Sequence, residues 1–148
     1  MCRLVRRAYP LKAIHPKYRH LVKRTVGGYI RLELYGNRAD MNQVLRGRGL
    51  PHCRQQIGQC SRGPGHATAT VYLCADRWNR IQLETIAHEC THATFRWIST
   101  SGLTADGLSG RCGRVVDPRE EVFAYVHGHL VAWFTQWVAS SGVEVRCV

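Results

Sequence analysis

The sequence predicts an α+β domain in which a short antiparallel or mixed sheet packs on two long helices. Two segments, at residues 29–35 and 67–74, alternate apolar side chains with others, as strands do. Two longer segments, beginning near residues 79 and 117, carry apolar side chains at helical spacing after residues that favour a helix start. At 148 residues, one domain spanning residues 1–148 is expected.

The first strand is predicted in "GGYIRLELYGN", which has glycine near both ends. Ile30, Leu32 and Leu34 share one face, so this strand is expected to be half-buried. The other face carries Tyr29, Arg31, Glu33 and Tyr35. The next segment, "RADMNQVLRGRG", predicts a short helix that ends at its glycines. The second strand lies in "HATATVYLCA", with three apolar side chains on one side: Ala69, Val71 and Leu73.

The first long helix is predicted to start at Asn79, which suits the N-cap and has Gln82 three residues later. Its apolar stripe follows the spacing i, i+4, i+7 and i+11, and consists of Ile86, Cys90, Ala93 and Trp97. His88 and His92 lie on a neighbouring face, one turn apart, and are expected to point the same way.

The second long helix has unusually clear start signals. Asp117 suits the N-cap and Pro118 the first helical position, while Glu120 closes a capping box and leaves Glu121 free. Small residues, which are expected to let another helix approach, follow Glu121 at helical spacing: Ala124 and Gly128. A bulky face for the core is formed by Phe123, Val126, Leu130, Phe134 and Trp137.

The motif His88-Glu89-x-x-His92 carries the chemistry. Two imidazoles one helical turn apart can bind the same Zn²⁺ ion. Glu89 lies about 100° further around the helix, where its carboxylate can take a proton from zinc-bound water that attacks a peptide carbonyl. The sequence therefore predicts a zinc-dependent hydrolase, most naturally a peptidase with a peptide or protein substrate. The alternative is two ordinary histidines on a helix.

"HECTH" followed by "EEVFAY" resembles the gluzincin branch of the zinc metallopeptidases. It is most similar to small metallopeptidase-like proteins encoded by bacterial viruses. The resemblance covers residues 68–135 and is specific at the two motifs. It implies a zincin-like fold in which His88, His92 and Glu121 hold zinc and Glu89 is the general base. It also implies a strand beside the substrate cleft, for which residues 67–74 are the candidate.

Two features depart from the gluzincin pattern. A small acidic or polar residue often follows the third ligand by one turn, where this chain has Tyr125. No residue stands out as an oxyanion donor, since Tyr125, His127 and His129 are each more typical of packing or surface positions. Proteases that cleave DNA–protein crosslinks share the motif but take a third histidine soon after it, and no histidine lies between His92 and His127.

Charge divides the chain into a basic amino-terminal part, residues 1–62, and a metal-site part, residues 63–148. The first part has 14 Lys and Arg against two acidic residues, a net charge of +12, and the second has 7 against 8. Such an excess can attract nucleic acid or an acidic protein, although a solvated basic surface is an equal alternative. A second hypothesis for the whole chain is therefore a basic binding module whose zinc site is structural or catalytically inactive.

The coordination of the zinc ion would distinguish the hydrolase from the binding module. A closed site with Cys112 or His127 in place of water favours the binding module, and an open position favours the enzyme. A third hypothesis is a small DNA-associated protein that binds no metal.

Seven cysteines occur without any C-x-x-C pair, and no secretory signal or membrane-spanning run is evident. Reduced thiols and a cytoplasmic location are therefore expected, in the host cell if the protein is viral. A second metal site is a further alternative, although its spacing matches no common zinc motif; its candidate ligands are His52, Cys53, Cys60 and His66.

Overall fold

The computed structural model describes residues 5–10, 29–52, 58–61, 68–101 and 118–147. Within these ranges the fold is α+β, as predicted. In chain order its elements are β1 (Val5–Pro10), β2 (Tyr29–Tyr35), α1 (Arg38–Gly47), β3 (Gly58–Ser61), β4 (Ala69–Cys74), β5 (Arg80–Gln82), α2 (Leu83–Ser101), α3 (Pro118–Ser140) and β6 (Glu144–Arg146).

The main sheet is mixed and has the strand order β1-β2-β4-β3. Strands β2 and β4 are parallel, with Leu32 opposite Val71, while β1 and β3 run antiparallel to their neighbours. Strand β3 forms one edge of this sheet. A separate parallel pair, β5 and β6, joins the residues before α2 to the residues after α3.

Helices cover both faces of the sheet. One face packs against α2 and α3, and its core includes Ile30, Leu32, Val71, Ile86, Cys90, Ala93, Trp97, Leu130 and Phe134. The other face packs against α1 through a smaller cluster of Tyr35, Met41, Leu45, Tyr72 and Cys74. The apolar stripe predicted for α2 is confirmed, since all four of its residues are buried.

The prediction of a half-buried β2 is wrong, because α1 covers its second face. Glu33 and Tyr35 are 0% and 1% exposed. Glu33 tolerates burial because Arg48 donates two hydrogen bonds to its carboxylate, at 2.7 and 3.2 Å, and the Tyr35 hydroxyl donates a third at 2.7 Å. Arg31 lies 3.0 Å from the same carboxylate. The polar residues of this face thus form a buried network between the sheet and α1.

Asn79 is not the N-cap of α2, contrary to prediction. Its φ angle is +61°, its side-chain amide donates to the carbonyl of Gly142 at 2.7 Å, and α2 begins four residues later at Leu83. The intervening residues form β5, whose partner β6 lies near the other end of the chain. Local sequence patterns do not reveal such a distant partner.

Helix α3 begins at Pro118, as predicted, although Asp117 lies outside the described residues. The predicted bulky face is confirmed, with Val126, Leu130, Phe134 and Trp137 buried and Phe123 partly buried. The predicted close approach at Ala124 and Gly128 is wrong. Both are exposed, and a Cβ atom on Gly128 would have no neighbour within 4 Å. No helix in the described ranges is long and apolar enough to cross a membrane.

Candidate metal centre

Helix α2 brings the two predicted histidines together on its surface. The Nε2 atoms of His88 and His92 lie 3.2 Å apart, and their ring centroids are separated by 4.9 Å with the rings at 78° to each other. Both side chains are exposed, whereas the stripe beside them is buried in the core. The helix thus anchors one face in the sheet and presents two imidazoles to solvent on the next.

The separation of these nitrogens fits a zinc ion. Tetrahedral zinc with Zn–N distances of about 2.0–2.1 Å places two nitrogen ligands about 3.3 Å apart. The same separation also suits an N–H···N hydrogen bond between two neutral imidazoles. Metal content therefore distinguishes the two arrangements.

Glu89 occupies a different environment from its neighbours in the motif. It is 6% exposed and lies under β3, where a Cβ atom added to Gly58 would come within 2.9 Å of Glu89 Cγ and 3.1 Å of Oε1. Burial raises the pKa of the Glu89 carboxyl, and the adjacent His88 opposes this shift. A carboxylate that is poorly solvated in this way is a stronger proton acceptor than an exposed one.

Strand β3 and helix α2 form the walls of an open cleft. Its volume is about 510 Å³, and it is lined by Gly58, Gln59, Cys60, Glu89, His92, Phe95 and Arg96. The sequence-based candidate for this wall was residues 67–74, of which Ala69–Cys74 form β4. No residue of β4 lines this cleft; the neighbouring strand β3 does. Strand β3 has only four residues and no alternating pattern, so periodicity does not identify it.

Helix α3 contacts the opposite side of the motif through His127. Its Nε2 atom lies 3.2 Å from the carbonyl oxygen of Ala87 and 3.1 Å from Thr91 Oγ1, and its ring stacks on Phe123. A carbonyl oxygen can only accept, so a proton on Nε2 suits both contacts. His127 therefore docks α3 on α2. The other two side chains considered as oxyanion donors, Tyr125 and His129, stack on each other with ring centroids 4.6 Å apart.

The predicted third ligand lies at the limit of what the structure describes. Glu121 belongs to the first turn of α3, but its side chain is outside the described residues. Among the side chains that are described, no group of three His, Cys, Asp or Glu residues is close enough to hold a metal. Glu121 as a ligand thus stays a prediction.

The described turns of α3 bear on this prediction. Phe123 and His127 form the row that contacts α2, and Glu120 precedes them by three and seven residues. Glu121 is instead in helical register with the exposed Ala124 and Gly128. Helical periodicity therefore makes Glu120 an alternative third metal ligand, which the family resemblance does not suggest.

The alternative second metal site receives no support from the two of its residues that are described. His52 is exposed and accepts a hydrogen bond from Arg46 Nε at 3.3 Å. Cys60 is half-buried in β3, and burial raises the pKa of its thiol to about 12, so it is protonated at neutral pH. Cys53 and His66 lie outside the described residues, as does Cys112.

No family model, curated protein or solved structure matches this chain. Support for a function comes instead from the arrangement of His88, Glu89 and His92 at the cleft.

Proposed function

We propose that this protein is a zinc-dependent hydrolase, and specifically a peptidase of the gluzincin kind. One observation carries the proposal: two imidazole nitrogens stand 3.2 Å apart beside a cleft in which a buried carboxylate directly follows the first histidine in sequence. A buried, weakly solvated glutamate at the base of an open cleft is costly for stability, and such costs are typical of catalytic sites.

In this proposal, different residues bind the metal and transfer the proton. His88 and His92 would hold Zn²⁺, together with a carboxylate from the first turn of α3, Glu121 by resemblance. When bound, zinc lowers the pKa of a coordinated water towards neutrality and polarises a carbonyl oxygen. Glu89 accepts a proton in the cleft and returns it to the leaving amine, a role favoured by its raised pKa.

The shape of the cleft favours a polypeptide substrate. One wall is a strand at the edge of the sheet and the other is the motif helix, so an extended chain can lie between them. Gly58 and Gln59 supply backbone and a neutral side chain, whereas Phe95, which is 41% exposed, supplies an apolar surface. Backbone, apolar and polar groups together suit an extended peptide better than a small charged metabolite.

Metal content and a single substitution test the proposal. Protein purified without added metal is expected to contain close to one zinc ion per chain. Glu89→Gln is expected to retain that zinc and to lower hydrolysis of a denatured protein substrate by about 10²- to 10⁴-fold, the usual contribution of a general base. Glu84→Gln is the matched control, because Glu84 is an exposed residue of the same helix.

The outcomes separate the competing functions. Full activity in Glu89→Gln would show that this residue is not the base. Tightly bound zinc in a wild-type protein that cleaves no polypeptide would instead favour a structural zinc in a binding module. A protein that neither contains nor takes up zinc would end the hydrolase proposal.

A further inference from the structure

Arg96 is the second charged residue of α2 that lines the cleft, after Glu89. It follows His92 by four residues and Glu89 by seven, so all three lie along the cleft side of the helix. At 1.5 Å per residue, Arg96 is about 6 Å beyond His92 along the helix axis and about 10 Å beyond Glu89. It therefore stands further along the cleft than the proposed general base.

The positive charge of Arg96 lies near strand β3, which lines the same cleft. This charge lowers the pKa of the thiol of Cys60, which is half-buried in the opposite wall, although burial outweighs the effect. Because burial raises the pKa of this thiol to about 12, the thiol is neutral at pH 7 and adds no negative charge to the cleft. Arg96 thus adds a positively charged side chain to the lining of the cleft.

We propose that Arg96 binds a carboxylate of the substrate and makes the cleft selective for peptides that carry one there. A guanidinium is planar and pairs with a carboxylate through two parallel hydrogen bonds, which gives direction as well as charge. The 6 Å step from His92 corresponds to about two residues of an extended chain, which rises about 3.3 Å per residue. The recognised carboxylate is thus within two residues of the bond that lies at the histidines. This inference rests on the proposed hydrolase function.

Two groups of a peptide can supply this carboxylate: an Asp or Glu side chain, or the free carboxyl terminus. The first makes the protein selective for acidic sequences, and the second makes it trim peptides from their carboxyl end. Either carboxylate would bind the same guanidinium, at the same place in the cleft and at the same distance from the histidines.

Binding to peptide pools tests the proposal without requiring turnover. Zinc-loaded Glu89→Gln protein is titrated with fluorescent decapeptide pools that have a fixed central Glu or a fixed central Gln and randomised flanks. Each pool is made with a free carboxyl terminus and with a terminal amide. We expect about tenfold tighter binding of the central-Glu pool, or of the free acid over the amide, as is typical for a charge-assisted hydrogen bond.

The preference is expected to disappear in Glu89→Gln/Arg96→Gln and to be reduced in Glu89→Gln/Arg96→Lys, because lysine cannot make the paired hydrogen bonds. Glu89→Gln/Arg77→Gln is the matched control, since Arg77 is an exposed arginine that does not line this cleft. A preference for the Glu pool identifies an acidic side chain as the source, and a preference for the free acid identifies the carboxyl terminus.

Failure of this inference is distinguishable from failure of the hydrolase proposal. Pools that bind equally, or a preference that persists after Arg96→Gln, would overturn the role of Arg96 even if wild-type protein cleaves polypeptides. A preference that depends on Arg96 supports the carboxylate subsite even if wild-type protein proves inactive.

Discussion

Two buried glutamates in this protein have opposite electrostatic environments. Burial raises the pKa of both carboxyl groups, but at Glu33 it is outweighed by hydrogen bonds from Arg48 and Tyr35 and by the charges of Arg48 and Arg31, so that its pKa is lowered. At Glu89 burial prevails over the charge of His88, and the pKa is raised. A carboxylate with many partners stabilises a fold, whereas one that is buried with little compensation is suited to proton transfer. Burial thus accompanies a structural role at Glu33 in β2 and suits a chemical role at Glu89 in α2.

Glu33→Gln is expected to destabilise the protein by about 3 kcal/mol at pH 7, because it leaves the partly buried Arg48 without its ionic partner. A lowered pKa in the folded state means that the stabilisation is fully present above the ordinary value of 4.5. It is then lost as pH falls through the lowered value. Urea unfolding of wild type and variant at pH 7, 5, 4 and 3 is therefore expected to show a difference that shrinks below about pH 4.5.

Glu144→Gln provides the control for this experiment. Glu144 pairs with Arg146 on the surface, where both side chains are at least half exposed, so its loss is expected to cost less than about 1 kcal/mol. A stability difference between wild type and Glu33→Gln that stays constant from pH 7 to pH 3 would contradict the assigned ion pair.

At the scale of elements, strand β3 fixes the position of Glu89 by steric contact. A Cβ atom at Gly58 would lie 2.9 Å from Glu89 Cγ and 3.2 Å from Thr85 Cγ2, closer than side chains normally approach. Gly58→Ala must therefore displace either the strand or the carboxylate. A displacement of about 1 Å can lower catalysis by about 10²-fold.

We expect Gly58→Ala to retain zinc, because the contacts of Gly58 involve Glu89 and Thr85 rather than the histidines, and to lose most hydrolytic activity. Zinc content and hydrolysis of the same protein substrate are the measurements. Gly47→Ala is the matched control, since its Cβ atom would meet nothing within 4 Å and its φ angle is ordinary for a helix. Equal activities of the two variants would show that β3 does not constrain the base.

A second prediction at the scale of elements concerns the third zinc ligand, which is expected at the start of α3. The gluzincin resemblance assigns this ligand to Glu121. Glu121→Ala is therefore expected to lose zinc at chelator concentrations that are lower by orders of magnitude than those needed to remove zinc from wild type. Glu120→Ala is the matched variant, and by that assignment it loses only a capping contact of about 1 kcal/mol. The reverse result would place the ligand in the row of α3 that contains Phe123 and His127, which contacts α2.

The sequence was sufficient for features that depend on local periodicity. The buried stripe of α2, the bulky face of α3 and the convergence of His88 and His92 follow from the 3.6-residue repeat of a helix, and all appear in the structure. The features it missed depend on distant partners. Strand β3 is recognisable only by its pairing with β4, Asn79 is diverted to Gly142, and Glu33 is buried because α1 folds over it.

At the scale of the whole molecule, the uneven charge makes nucleic-acid binding a hypothesis to test against an acidic protein partner and a solvated basic surface. Residues 1–62 carry a net charge of +12, most of it outside the described residues. Binding through phosphates releases counterions, so affinity for a mixed-sequence oligonucleotide is expected to fall linearly with salt on logarithmic axes. The slope is about −0.7 to −0.9 for each phosphate contacted. Fluorescence anisotropy across a range of salt concentrations measures it.

Replacing Lys12, Lys17 and Arg19 by glutamine is expected to flatten this slope, whereas replacing Arg77, Arg114 and Arg146 is expected to leave it nearly unchanged. The second set removes the same charge from the near-neutral part of the chain. A wild-type protein that does not bind the oligonucleotide at low salt would assign the excess charge to solubility or to an acidic protein.

The pairing of β5 with β6 has a consequence for how the protein is made. Ile81, just before the motif helix, is opposite Val145, and the backbone amide of Glu144 donates to the carbonyl of Asn79. Pairing β5 with β6 closes the long chain segment between them, and this closure has an entropic cost. The contacts of the paired strands can offset that cost only once both strands have been synthesised. During synthesis on the ribosome, α2 emerges long before residues 144–146 do. We therefore expect the amino-terminal end of this helix to be secured last, so that a nascent chain does not yet have the finished cleft.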